Sequence, residues 1–94
     1  MYYLRLVRED GAEEVVRLSG KVRLGREIDN DVVLDDYDVS RHHAEIEYRG
    51  GGLFVRDLGS RNGTFLNTLP ASNTKVHTGD EIRAGVNRFK VEVR

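Results

Sequence analysis

No stretch of about ten or more residues in this chain repeats its apolar positions at helical spacing; where a pattern exists, its period is two. Tyr2, Leu4 and Leu6 alternate with Tyr3, Arg5 and Val7. Asp10-Gly11 predicts a turn into a segment from Glu14 to Leu18, and Ser19-Gly20 a turn into one from Lys21 to Leu24. Ala44, Ile46 and Tyr48 alternate with Glu45 and Glu47, which predicts a strand with one apolar and one acidic face. Gly50-Gly51-Gly52 reverses the chain toward a β-forming run from Leu53 to Leu58. Asn62-Gly63 before Thr64-Phe65-Leu66 predicts a type I′ hairpin, in which both central residues take φ > 0. Residues 67–74, with the only proline, Pro70, read as a loop. Thr78-Gly79-Asp80 leads into Glu81 to Ala84, and the last strand is expected to turn Phe89, Val91 and Val93 inward. Many short strands with closely spaced turns predict an all-β fold, an antiparallel sandwich or barrel.

The chain has 94 residues, which predicts one domain over 1–94 with one modest core. Its net charge of −1 leaves no basic excess of the kind nucleic-acid binding needs. No apolar run approaches the ~18 residues of a membrane-spanning helix, and the opening residues alternate rather than taking the form of a signal peptide. The chain lacks cysteine, so it has no disulfide framework or thiolate metal site; a reducing, cytoplasmic setting is compatible with that.

Three short motifs fall in loops between these segments: Gly25-Arg26, Ser40-Arg41-His42-His43 and Asn62-Gly63-Thr64. Glycine permits a sharp turn, after which Arg26 projects from the end of the sandwich. Its planar guanidinium can grip phosphate oxygens in pairs. Ser40 supplies a hydroxyl donor and Arg41 further charge. Strand alternation sends one of His42 and His43 outward and the other inward; His43 is expected to brace the loop rather than touch ligand. The Asn62 amide both donates and accepts, which suits the backbone of an extended peptide, while Thr64 serves the turn and strand entry. A guanidinium, a hydroxyl and an amide on loops at one end of a scaffold suit a phosphate on an extended peptide.

In their order and spacing these motifs resemble the forkhead-associated (FHA) domain family. The matching residues are Leu24-Gly25-Arg26, Asp31-Val32-Val33-Leu34, Val39 to Ala44, Asp57 to Asn67, Thr78 to Ile82 and Phe89-Lys90-Val91, nearly the whole chain. The resemblance implies a β-sandwich of about eleven short strands that binds phosphothreonine peptides and needs no cofactor. It implies that Arg26 and Ser40 hold the phosphate and Asn62 the peptide backbone, with Arg41 and Arg61 assisting. Gly25 and His43 look like the family's scaffold, and Gly85-Val86-Asn87 like its last binding-face loop. Partners would be a phosphothreonine-containing protein and the Ser/Thr kinase that acts on it. Two positions depart from the family pattern: Asn67 is followed by Thr68 rather than glycine, and Asp38 stands where some members carry a basic residue that selects an acidic downstream position. The preference at that position is open, reversal included.

Other readings compete. Ser40, His43 and Asp57 are the residue types of a nucleophilic triad, but no nucleophile elbow or oxyanion site accompanies them. His42, His43 and His77 lack the carboxylates that would complete a metal site. The stronger rival is an interaction or oligomerisation module that uses a strand edge or sheet face without phosphate.

Overall fold

A computed structural model describes residues 1–94, and every regular element in it is a strand: β1 (Tyr2–Val7), β2 (Glu13–Leu18), β3 (Lys21–Gly25), β4 (Val32–Val33), β5 (Ala44–Arg49), β6 (Gly52–Asp57), β7 (Thr64–Leu66), β8 (Leu69–Pro70), β9 (Asn73–Val76), β10 (Glu81–Ala84) and β11 (Asn87–Val93). They form a six-stranded sheet in the order β2-β1-β11-β10-β7-β8 and a five-stranded sheet in the order β4-β3-β5-β6-β9. Every pairing is antiparallel except the short β3–β4 pair. The expected all-β sandwich is therefore observed. No helix is long and apolar enough to cross a membrane.

The period-two pattern becomes the core. Leu4 and Leu6 of β1, Ile82 and Ala84 of β10, and Phe89 and Val91 of β11 face Val22, Leu24, Ala44, Ile46, Leu53 and Val55 of the other sheet, all buried. Leu34 and Val39, from the long β4–β5 connection, plug one end of this core and are also fully buried. Burying such a side chain stabilises by about 1.5–3 kcal/mol. Two apolar anchors therefore hold a connection that lacks regular structure of its own.

Several expectations are corrected. Asn62-Gly63 is not a type I′ hairpin: only Gly63 has positive φ (87°), and the strands on either side, β6 and β7, belong to different sheets. The tight glycine hairpin is β5–β6, where Gly50 (φ 54°) and Gly51 (φ 79°) join the paired Arg49 and Gly52. Residues 67–74 are not simply a loop, because β8 and the start of β9 lie within them. Asn67 takes φ 59° and opens a two-residue connection from Leu66 to its partner Leu69. Pro70 fits because β8 is an edge strand. The β4 pair, without an alternating run, gave no strand signal of its own. Val93 is half exposed, opposite Tyr2 at the end of the sheet. The acidic outer face of β5 is present as expected, and on it Glu45 is buried, with Lys21, Arg23 and Arg56 from the neighbouring strands each 3.7 Å from its carboxylate.

Candidate functional site

β3 delivers Arg26 to the loop end of the sandwich, and the route there requires glycine. A Cβ on Gly25 would lie 2.2 Å from the carbonyl oxygen of Arg41 and 2.7 Å from Nδ2 of Asn30. That close approach lets two loops run side by side. Arg26 N–H donates to Ser40 C=O (3.0 Å), Glu27 N–H to Arg41 C=O (3.1 Å) and His43 N–H to Leu24 C=O (2.9 Å). The Asn30 amide fills the space beside Gly25, donating to the carbonyls of Glu27 and Arg41 at 2.8 Å each. Arg26 then donates its Nε–H to the carbonyl of Val39 (3.0 Å). Arg26 is exposed, its two terminal nitrogens make no hydrogen bond within the chain, and the guanidinium has no carboxylate within ion-pairing distance.

Ser40 is half-buried beside it. Its Oγ accepts the N–H of Arg61 at 2.9 Å. With that lone pair occupied from within the chain, the hydroxyl proton is free to be donated outward. His43 is fully buried and His42 exposed, as alternation predicts. His43 Nδ1 accepts the N–H of Ser40 (3.0 Å), which leaves Nε2 to carry the proton and donate it to the carbonyl of Gly63 (2.8 Å). His42 turns away to the carboxylate of Asp29 (3.0 Å).

Asp57 organises the loop that carries Asn62. Its carboxylate accepts the Ser60 hydroxyl (2.5 Å), the Ser60 N–H (3.0 Å) and the Thr64 hydroxyl (2.7 Å), while Ser60 Oγ in turn accepts the N–H of Gly63 (2.9 Å). Burial works to raise the Asp57 carboxyl, but the hydrogen bonds from Ser60 and Thr64 overcome it and hold it below the ordinary carboxylate value. Asn62 is exposed and donates one amide N–H to the carbonyl of Asp38 (2.9 Å), leaving its other N–H and its oxygen open. Arg61 is exposed with no ion pair, whereas Arg41, three-quarters exposed, lies 3.8 Å from Glu27.

A second carboxylate ties in the β10–β11 turn. Asp36 accepts the N–H of Asp38 (2.9 Å), the N–H of Val86 (3.1 Å) and the Asn87 amide (3.3 Å). Gly85 has φ 62°, and a Cβ there would approach Asp36 Oδ2 to 2.4 Å. Asn30, Asp36 and Ser60 were not singled out from the sequence. The roles of Asn30 and Asp36 depend on which loops meet, and no local pattern announces that, whereas Ser60 acts within its own loop through Asp57 and Gly63. Beside Asn62 lies a shallow groove lined by Asp38, Gly63, Phe65, Arg83, Gly85 and Val86, with the Arg83 guanidinium 4.8 Å from the centre of the Phe65 ring. On the other side, Arg26 and the exposed Tyr37 share an opening with Glu9, Asp35, Asp36 and Asp38.

The structure thus gathers Arg26, Ser40, Arg61 and Asn62 at one end, with Gly25, His43, Gly63 and Thr64 beneath them, and Arg41 beside Glu27. It does not assemble the triad. Both nitrogens of His43 are engaged by backbone groups, and Asp57 bonds to Ser60 and Thr64. His42 and His77 sit beside different carboxylates, Asp29 and Asp80, on separate loops.

The family model that matches this chain is that of the FHA domain, over residues 22–85. Over 65 residues, 69% of its length, the chain is 46% identical to the glycogen accumulation regulator GarA of Mycolicibacterium smegmatis, of which it covers 41%. The chain therefore spans less than half the length of the curated relatives it matches. The FhaA FHA domain, in a crystal structure with the intracellular domain of Rv3910, superposes with a TM-score of 0.88 at 34% identity, covering 98% of this chain and 100% of that one. A chain solved in a structural and functional study of phosphothreonine-dependent FHA domain interactions superposes with a TM-score of 0.84 at 33% identity, covering 99% and 96%.

Proposed function

Because the chain belongs to the FHA domain family, we propose that it is a non-catalytic module that recognises phosphothreonine in an extended segment of a partner protein. One observation carries this reading. Arg26 has its inner nitrogen tied back and its outer nitrogens free, next to a Ser40 hydroxyl whose oxygen already accepts the N–H of Arg61. Both residues thus keep donors that the chain itself does not use, which suits a phosphate with three acceptor oxygens and a charge near −1.5 to −2. Arg61 and Arg41 add charge at the rim. Asn62, steadied by Asp38, offers the remaining N–H and oxygen of its amide to the peptide backbone beside the phosphothreonine.

This role needs no cofactor and implies a Ser/Thr kinase in the same compartment, which we place in the cytoplasm. Residues 1–94 act as one recognition domain. That GarA is a regulator is consistent with a module that acts by binding. Preference for threonine over serine rests on one methyl group, which the groove beside Asn62 would take up. Burying it yields ~0.8 kcal/mol, a several-fold preference.

Fluorescence anisotropy tests the proposal with a degenerate phosphothreonine peptide pool, its unphosphorylated twin, and the Arg26→Ala variant. Binding is expected to need the phosphate, and Arg26→Ala is expected to weaken it by about tenfold to a hundredfold, the loss of a hydrogen-bonded charge. Equal binding of the unphosphorylated pool, or an unaffected Arg26→Ala variant, would overturn the reading.

A further inference from the structure

The four open edges of the sandwich differ. β4 and β8 are two residues long and β9 is four, whereas β2 is six. Edge strands are usually blunted by shortness, proline, lysine or a bulge. β8 has Pro70 and β9 has Lys75, whereas β2 has no proline, lysine or bulge and carries only charges, Glu13 and Arg17 on one face and Glu14 on the other. It pairs with β1 without interruption, from Glu13 opposite Val7 to Leu18 opposite Tyr2.

Just beyond Glu13, the N–H of Arg8 donates to the carbonyl of Ala12 (2.9 Å). Antiparallel ladders alternate bonded and non-bonded pairs, so Glu13, Val15 and Arg17 turn their own N–H and C=O groups to the open edge. The side chains of the same three residues point to the outer face, because Val16 and Leu18 pack on the core. Val15 is 40% exposed. Arg17 has no ion-pair partner anywhere in the chain, and the contact of Glu13 with Arg5 is long, at 3.8 Å.

We propose that β2 pairs antiparallel with β2 of a second copy of this chain, about a two-fold axis at Val15. A two-fold axis normal to the sheet keeps each side chain on its own face, so only registers centred on a residue are allowed. Centred on Val15, Val15 meets its twin, and Glu13 meets Arg17 on both flanks, all on the outer face. Centred on Val16, Val15 would meet Arg17, and Glu14 would meet Leu18, with no charge matched. The Glu13–Val15–Arg17 spacing is therefore self-complementary in one register. The edge supplies the ladder donors and acceptors, and the unpaired Arg17 acquires an anion.

The β1–β2 turn lies at the phosphate-binding end, where Arg8 donates to the carbonyl of Val33 (3.1 Å). Antiparallel pairing therefore sets the two binding faces at opposite ends, both open. The dimer is bivalent, and its formation does not depend on the peptide. One strand pair buries less than the ~1,200 Å² of a standard interface, so the association is weak.

Sedimentation equilibrium of the chain over micromolar to millimolar concentrations at low salt tests this. A monomer–dimer equilibrium is expected. Arg17→Glu and Glu13→Arg should each weaken it by about tenfold or more, because each replaces matched cross-strand charges with like ones. The double swap Glu13→Arg/Arg17→Glu should restore it. Val15→Pro should abolish it, since the lost N–H faces the open edge and not β1. Circular dichroism checks that each variant is folded. A strict monomer, a dimer indifferent to Arg17→Glu, a double swap that does not recover, or growth beyond a dimer would each defeat the proposal.

Discussion

The imidazole of His43 and the carbonyl of Gly63 are joined by a 2.8 Å hydrogen bond across twenty residues of sequence, and that bond couples the loop carrying Ser40 to the loop carrying Asn62. The other ring nitrogen accepts the N–H of Ser40 itself. One buried side chain thus sets the separation of two residues proposed to hold different parts of a ligand. His43→Ala strands both backbone groups and leaves a hole in a fully buried place. Each stranded group costs about 1–3 kcal/mol, so a loss of about 3 kcal/mol or more is expected in urea unfolding. A loss below about 1 kcal/mol would show that this coupling is unimportant to the fold.

Asp57 makes the site sensitive to acid. Its carboxyl is held below the ordinary value of 3.8, against burial, by the hydrogen bonds from Ser60 and Thr64. A depressed folded pKa means that the unfolded chain takes up the proton first. The stabilisation is complete above about pH 4 to 5, shrinks as pH falls through the unfolded value, and is gone below the folded one. Thermal unfolding of wild type and Asp57→Asn between pH 2.5 and 6 measures this. The gap between the two proteins should be widest at pH 6 and narrow toward the acid end. A constant gap would refute the assignment.

Gly25 tests the loop zipper. Any side chain there meets the Arg41 carbonyl at 2.2 Å, and that neighbour is backbone, so it yields only if the two loops part. Parting them breaks the bonds from Arg26 N–H and Glu27 N–H. Gly25→Ala is expected to destabilise by about 1–3 kcal/mol and to weaken phosphopeptide binding, since Arg26 moves with its backbone. Calorimetric unfolding with parallel peptide titration reads both. Unchanged stability would mean that the loops part freely.

The longer strands and the three motifs were visible in the chain because each depends on neighbours in sequence, while the two-residue strands β4 and β8 were not. Alternation is local, and so are glycine turns. The acidic face of β5 is local as well, but the cations that cover Glu45, Lys21, Arg23 and Arg56, come from other strands and leave no mark in that segment. Asn62-Gly63 looked like a hairpin because the dipeptide carries the signal of one; what makes it a crossover is the destination of the next strand, set by pairing with Ala84 and its neighbours. Asn30 and Asp36 escaped notice for the same reason. Each joins loops that are distant in sequence, and an amide or carboxylate in a polar loop looks like any solvated residue until its partners are placed.

Asp38 separates the two sides of the proposed peptide path. Its carbonyl holds Asn62, so its backbone belongs to the site, while its exposed carboxylate joins Glu9, Asp35 and Asp36 around an opening shared with Arg26. A phosphopeptide whose flank carries Asp or Glu meets like charge there, and one carrying Lys or Arg meets opposite charge. Surface charge pairs of this kind are worth about 0.2–1 kcal/mol each, which amounts to a few-fold in affinity. Asp38→Lys should shift the ratio of acidic-flank to basic-flank binding by several-fold toward the acidic peptide, and the shift should shrink in high salt as screening lengths fall to about 3 Å at 1 M. Anisotropy titrations of two phosphothreonine peptides that differ only in flanking charge measure that ratio. A ratio that stays fixed on Asp38→Lys would place the flanks of the peptide away from this opening, along the groove beside Phe65 and Arg83.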